Sequence, residues 1–205
     1  MNCLGALLGS ATSVACLWWS RAYVSAIQGV SRVPRSLTLV LVLVGTITGA
    51  MVGADRVSSP VALVVVTCLL VVQVPIDFLA QRLARMPTLV ALLALFVSRL
   101  IEVVTSHGLR DVAAQLSTTM LLLVALGVMH WMSPQSLGWG DVLLAAPLAF
   151  AVSSTRLSAV AMWMFLASAM AAVHGLVAQW KSGKRYVPFG PYLLGAAWIV
   201  LVVSV

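Results

Sequence analysis

Two acidic side chains at the edges of apolar runs are the residues best suited to chemistry in this chain. The sequence has only five Asp and Glu among 205 residues, and Asp77 and Asp141 each adjoin a long apolar stretch. A carboxylate at membrane depth costs roughly 2.5 to 3.5 kcal/mol on insertion scales, so such a residue usually serves a function. Two neighbouring carboxyl groups cannot both ionise readily, so one holds a proton while the other acts as a base. Such a pair can activate water against an amide carbonyl and protonate the leaving amine without a metal.

Each acid taken alone also has an ordinary interpretation. Asp77 follows Val74-Pro-Ile, as a loop acid at a membrane interface would. Asp141 stands at the start of an apolar segment, where Asp is a favoured helix N-cap. The catalytic interpretation therefore depends on the two acids meeting.

The residues before Asp141 predict an irregular backbone at the membrane boundary. A sixth span that began at Asp141 would reach Ser154 after 14 residues, about 21 Å of helix against a hydrocarbon core of about 30 Å. We therefore expect the turn Gly138-Trp-Gly140 to lie within the boundary. The two glycines allow close backbone approach and unusual φ and ψ, as a site for an extended peptide requires.

Composition predicts the element type that must position these acids. The chain is 62% hydrophobic and 8% charged, and its mean hydropathy is +1.09. These values predict an all-α, polytopic transmembrane helix bundle of about eight spans (six to eight), forming a single membrane-embedded domain over residues 1–205. The predicted spans are Leu4–Trp19, Leu37–Ala54, Pro60–Ile76, Met86–Val104, Val112–Met132, Ser136–Ser154, Leu157–Trp180 and Gly190–Val205.

The basic residues predict the orientation of these spans. If the N-terminus lies outside, eight of the twelve Lys and Arg fall in inner loops and three in outer loops, as the positive-inside rule requires. The inner residues are Arg21, Arg32, Arg35, Arg82, Arg85, Lys181, Lys184 and Arg185, and the outer ones are Arg56, Arg110 and Arg156. Asp77 then ends the third span, and Asp141 begins the sixth, on the same cytoplasmic side. The two carboxyl groups are therefore expected within about 10 Å of each other, as water-mediated acid pairs require.

Other partners and cofactors find little support in the sequence. The net charge of +7 belongs to short loops between spans, so we expect a lipid bilayer and not a nucleic acid as partner. Neither the three cysteines nor the three histidines show metal-ligand spacing, so we expect no metal and no cofactor.

Three sequence elements follow one another in the second part of the chain. The first is Asp77 followed by a short loop with Arg82 and Arg85 and then Met86-Pro87-Thr88. The second is Gly138-Trp-Gly140-Asp141, and the third is Pro188-Phe-Gly190-Pro191. In this order the three elements resemble the type IV prepilin peptidases, a family of intramembrane aspartic proteases with a Gly-x-Gly-Asp signature. The resemblance covers about Pro75 to the C-terminus.

This resemblance implies an aspartic endopeptidase of the cell membrane. It implies Asp77 and Asp141 as catalytic residues, supported by Gly138, Gly140, Pro188 and Gly190. Arg82 and Arg85 belong first to the positive-inside pattern, and contact with acidic substrate residues or lipid headgroups is a second interpretation. The implied substrate is a pilin-like precursor, cleaved after a Gly at the end of its short basic leader on the cytoplasmic face. The loop Arg21 to Ser36 has no Cys, so the methyltransferase activity of larger members is not implied.

Two positions depart from the family pattern. Members usually carry Lys two residues after the second Asp, where this chain has Leu143, and Asn where it has Thr88. Leu143 is about 200° around the helix from Asp141, so we expect it to face headgroups, a loop or substrate instead of that carboxylate.

Two alternatives remain open. A presenilin-like protease would share the Gly-x-Gly-Asp signature, although the chain has neither a Tyr-Asp motif nor a Pro-Ala-Leu element. A non-catalytic membrane carrier or assembly factor would instead use the two acids as a proton relay.

Overall fold

Eight α-helices make up the part of the chain that the computed structural model describes, which is residues 2–28, 34–54, 57, 59–80, 83–106, 109–132, 137–182 and 189–204. Within these residues there is no strand. The helices are α1 (Asn2–Gln28), α2 (Arg35–Gly53), α3 (Pro60–Ala80), α4 (Arg85–Ser106), α5 (Leu109–Met132), α6 (Trp139–Ser153), α7 (Leu157–Ser182) and α8 (Gly190–Val203).

The all-α prediction is confirmed, and seven of the eight predicted spans lie within a few residues of a helix. The first predicted span lies within α1 but covers only part of it, because α1 continues past Trp19 and Arg21 to Gln28. A basic residue can end a membrane span without ending the helix, since Arg is a good helix former in water. Among the described residues, α2, α3, α4, α5 and α7 are long and apolar enough to cross a membrane, whereas α6 and α8 are shorter apolar helices. These helices are compatible with a multi-pass membrane protein; the number of spans and the external N-terminus stay predictions.

Proline marks the start of three helices. Pro60 is the first residue of α3, Pro87 lies in the first turn of α4, and Pro191 is the second residue of α8. The first turn has no backbone acceptor for its N–H groups, so a residue without an N–H costs nothing there and its fixed φ suits the helix.

Helix α3 is the central helix of the bundle. Its apolar stretch Pro60–Asp77 is 72% buried within the protein, against 17% for the corresponding stretches of α2, α4, α5 and α7. It packs against α1, α2, α4, α6 and α8, while α7 covers α8 and α6, and α5 covers α6. A side chain near the end of α3 is therefore surrounded by other helices and not by lipid.

Glycines let α1 and α2 approach closely at the edge of the bundle. Gly5 and Gly9 of α1 face Gly49 and Gly45 of α2, and a Cβ built on Gly49 would lie only 2.9 Å from Gly9 Cα. Small residues four apart are the usual means of close helix packing in membranes, where no hydrophobic effect drives helices together.

Four helix ends meet at one end of the bundle. The last turn of α3 lies beside the first turns of α4, α6 and α8, and residues from these elements line one cavity. This convergence brings distant parts of the sequence together around Asp77 and Asp141.

Candidate catalytic site at the helix ends

Asp77 lies in the last turn of α3, with the helix continuing only to Ala80. It is 7% exposed. Its Oδ2 is buried and has no hydrogen-bond partner among the residues that the structure describes. Because an unsatisfied buried polar atom is costly, this oxygen is a candidate to bind water or a substrate.

Asp141 lies in the first turn of α6 and is 8% exposed. The alternative interpretation of Asp141 as the helix N-cap does not hold, because the N-cap is Gly138 and Asp141 is the third helical residue. The backbone N–H groups of Gly138 and Gly190 both donate to its carboxyl group. An acid at this position commonly reaches back to the N-cap N–H, so the local geometry follows from the helix start.

Gly190, the first residue of α8, faces both acids. A Cβ built on it would lie 3.1 Å from Asp77 Oδ2 and 3.4 Å from Asp141 Oδ1, so these two oxygens are at most 6.5 Å apart, the two distances added. The expected proximity of the two carboxyl groups is therefore observed. Two hydrogen bonds of about 2.8 Å each let one water molecule bridge oxygens up to about 5.6 Å apart, so this upper bound is close to the range of a shared water.

The absence of side chains from the glycines makes room for this arrangement. A Cβ on Gly138 would lie 3.2 Å from Asp141 Oδ2, and one on Gly140 would lie 3.1 Å from Leu83 Cδ1. Their predicted unusual φ and ψ are not found: Gly138 is in ordinary extended conformation, with φ −68° and ψ 142°, and Gly140 is helical. The glycines are thus needed for close approach and not for a special backbone conformation.

A cavity of about 500 Å³ opens beside the two acids. Most of its wall is apolar, and the acids and Arg85 are its charged residues among those described. The wall consists of Asp77, Leu83, Ala84, Arg85, Thr88, Leu89, Leu92, Gly138, Trp139, Gly140, Asp141, Leu143, Ala146 and Phe189. Its volume is in the range of ligand-binding clefts.

Apolar residues of two helices, α4 and α6, line part of the cavity. Leu89 and Leu92 of α4 and Leu143 and Ala146 of α6 all line the cavity, and these two helices pack against each other. Asp141 lies in the first turn of α6, and Arg85 at the start of α4 lines the same cavity, so the four apolar residues form a groove between α4 and α6 beside the acids. Leu143 thus lines the same cavity as the two acids.

The sequence prediction and the structure differ in which further residues line the site. Arg85 is exposed at the cavity, whereas Arg82 and Pro188 lie outside the described residues. Leu83 and Phe189 were not predicted as site residues. Each adjoins a residue that was predicted, but an isolated apolar residue in a loop gives no signal of its own.

The loop before α6 is attached to α5 through a histidine. His130 Nδ1 lies 2.7 Å from the carbonyl oxygen of Leu137, and its ring packs against that of Trp139 at a centroid distance of 5.3 Å. This contact fixes the chain one residue before the helix N-cap.

The described residues contain no group of three or more His, Cys, Asp or Glu that could hold a metal ion. No family model, no curated protein and no solved structure matches this chain.

Proposed function

We propose that this protein is a membrane aspartic endopeptidase that removes the short basic leader from type IV pilin-like precursors at the cytoplasmic face of the cell membrane. The observation that carries the proposal is the meeting of Asp77 and Asp141 at Gly190, in one cavity between helix ends. The order of the three sequence elements supports a relation to the type IV prepilin peptidases, and the acid pair supports peptide hydrolysis by an aspartic mechanism.

The surroundings of the two acids suggest different roles. Asp141 accepts backbone N–H groups at the starts of α6 and α8, and helix N-termini favour negative charge. Asp77 lies in the last turn of α3, where the helix dipole disfavours negative charge, and its Oδ2 has no partner in the described chain. We assign Asp141 as the base and Asp77 as the residue that holds the proton.

Peptide hydrolysis then proceeds in two proton transfers. Asp141 takes a proton from water as the water oxygen attacks the scissile carbonyl carbon, and Asp77 donates its proton to the carbonyl oxygen. In the second step the tetrahedral intermediate loses its C–N bond, Asp141 gives its proton to the leaving nitrogen, and Asp77 recovers its proton from the hydroxyl. Both carboxyl groups return to their starting states, with one water consumed.

The groove between α4 and α6 suits the part of a precursor that follows the cleavage site. Leu89, Leu92, Leu143 and Ala146 offer an apolar surface that begins at the acids, as the hydrophobic segment of a pilin-like precursor would require. Arg85 at the cavity would contact an acidic group or a lipid headgroup near the scissile bond. The family resemblance adds cleavage after a Gly.

Co-expression with a precursor tests this function. The substrate is a small membrane protein with a basic leader, a Gly and a long apolar helix, produced in a host without its own leader peptidase. The wild type should shorten it by the length of the leader, as mass spectrometry of the product would show, and Asp141→Asn should leave it uncut. An uncut precursor beside folded wild-type protein would instead favour a carrier or assembly factor.

A further inference from the structure

Gln73 is a fully buried amide in α3, one turn before Asp77. Its side chain is 0% exposed, and burying an amide among apolar residues is costly unless its polar atoms are paired. Nε2 donates to the carbonyl oxygen of Ala84 at 2.7 Å and to Thr88 Oγ1 at 3.0 Å, while Oε1 accepts the N–H of Ala84 at 3.0 Å. Both N–H groups and the oxygen are thus used.

The partner of this amide is the backbone just before α4. Gln73 bonds both the N–H and the C=O of Ala84, which fixes the position and the orientation of that residue. Thr88 adds a hydrogen bond from its hydroxyl to the same carbonyl at 3.2 Å. The start of α4 is therefore held to α3 at a point one helical turn from an acid.

The residue next to Ala84 contacts the glycines beside the acids. Leu83 Cδ1 would lie 3.1 Å from a Cβ on Gly140, and Leu83 Cδ2 would lie 3.4 Å from one on Gly190. Since Gly190 faces both carboxyl groups, Leu83 is a wall of the site. Any shift of Ala84 moves Leu83 relative to α6 and α8.

We propose that Gln73 is a positioning residue for the acid pair. It holds Ala84, and through it Leu83, so that the N-terminal ends of α6 and α8 stand against α3 at the separation that the two carboxyl groups need. The part concerning catalysis rests on the proposed peptidase function, whereas the part concerning Ala84 does not.

A purely structural role would be shared by other buried polar contacts of α3. Thr67 Oγ1 lies 2.9 Å from Thr48 Oγ1 and is buried on the same helix, away from the acids. Thr67→Val removes that contact with little change in volume, so it is the matched control for the loss of a buried hydrogen bond.

The experiment compares Gln73→Met, Gln73→Glu and Thr67→Val in purified protein. Met keeps the length of the side chain and makes none of the hydrogen bonds. A protonated Glu accepts the Ala84 N–H with one oxygen and donates to the Ala84 carbonyl with the other. Hydrogen exchange at the Ala84 amide and the kcat and KM for precursor cleavage are measured for each variant.

We expect Gln73→Met to raise the hydrogen-exchange rate of the Ala84 amide at least tenfold and to lower kcat at least tenfold, with KM changed less than threefold. Gln73→Glu should bring the Ala84 exchange rate and kcat most of the way back to wild type. Thr67→Val should leave the exchange rate and kcat near wild type. Unchanged exchange in Gln73→Met overturns the proposal, as does raised exchange with unchanged kcat. If the wild type does not cleave, the peptidase function fails and the exchange measurement alone decides the role at Ala84.

A second variant guards against loss of folding in Gln73→Met. Leu83→Ala removes the Leu83 side chain from the wall of the site and leaves the Gln73 amide unchanged. It should therefore lower kcat to a similar degree, while the hydrogen-exchange rate of the Ala84 amide stays within threefold of wild type. A wild-type kcat in folded Leu83→Ala would contradict the proposed link to the acids.

Discussion

At the residue scale, the two acids could be predicted from the sequence, but the residues that set their separation could not. Asp77 and Asp141 are identified by charge in an apolar chain, and their meeting by counting basic loops. Gln73 and Leu83 act through contacts with residues distant in sequence, which no local pattern reveals. Asp141 looked like an N-cap because helix starts are uncertain by a few residues.

Gly190 is the residue whose replacement should most directly disturb the acid pair. The added methyl group of Gly190→Ala would stand 3.1 Å from Asp77 Oδ2, so one carboxyl group must shift. We expect kcat to fall at least tenfold, about 1.4 kcal/mol in activation free energy, with normal protein levels in the membrane. The matched control is Gly195→Ala in the same helix, where the nearest atom would lie 3.9 Å away; equal losses in both variants would contradict this explanation.

Leu143 tests the departure from the family pattern. Because Leu143 lines the cavity but lies on the far side of the helix turn from the Asp141 carboxylate, it belongs with substrate binding and not with proton transfer. We expect an active wild type, and we expect Leu143→Lys to change cleavage by well under the hundredfold typical of losing a catalytic group. Cleavage assays in membranes compare the wild type and Leu143→Lys on the same precursor. An inactive wild type beside an active Leu143→Lys would contradict this expectation and identify the protein as an inactive relative of the family.

At the element scale, helix positions follow from apolar runs and their ends from proline, glycine and charge. That is why most helix bounds could be predicted within a few residues. The predicted first span ended near a basic residue, whereas α1 continues to Gln28. The packing of these helices could not be predicted, since apolar runs of similar composition do not indicate which helix is central. The burial of α3 and the pairing of α4 with α6 are tertiary properties.

The groove between α4 and α6 should respond to side-chain size. Ala146 is 8% exposed and lines the cavity, so Ala146→Leu adds three carbon atoms where the apolar segment of a substrate would lie. We expect KM to rise several-fold with kcat little changed, because the acids are not touched. Steady-state kinetics compare it with Ala161→Leu, an exposed position of α7; an unchanged KM would place the substrate elsewhere.

The glycine contact between α1 and α2 should affect stability and not chemistry. A side chain at Gly49 would meet Gly5 and Gly9 of the opposite helix, and overpacking of this kind costs about 1 to 3 kcal/mol. We expect Gly49→Val to lower the unfolding temperature while folded protein keeps the wild-type kcat. Gly127→Val, where a Cβ would have nothing within 4 Å, should leave the unfolding temperature unchanged; a similar drop in both would show that the contact is not responsible.

At the scale of the whole molecule, the cavity beside the acids is lined by residues of α3, α4, α6 and the start of α8, whereas α1 and α2 contribute no lining residue. Helices α1 and α2 contact each other through close glycine contacts, and both pack on the central helix α3. The last turn of α3 meets the starts of α4, α6 and α8. The short helices α6 and α8 start beside the acids, and the backbone N–H groups of Gly138 and Gly190 at these helix starts donate to the Asp141 carboxyl group. The positive-inside rule predicts that this end faces the cytoplasm.

The most direct test of the central claim is a double-mutant cycle on Asp77 and Asp141. Cleavage of a synthetic peptide with a basic leader, a Gly and an apolar segment is measured with purified protein in bilayers. Asp77→Asn and Asp141→Asn each preserve shape, and each should lower kcat by about a hundredfold or more. Because residues that act as one unit are not additive, the double variant should be little slower than either single one. Cleavage at the wild-type rate by either folded single variant, or losses that multiply in the double variant, would contradict the assignment of the two acids as one catalytic pair.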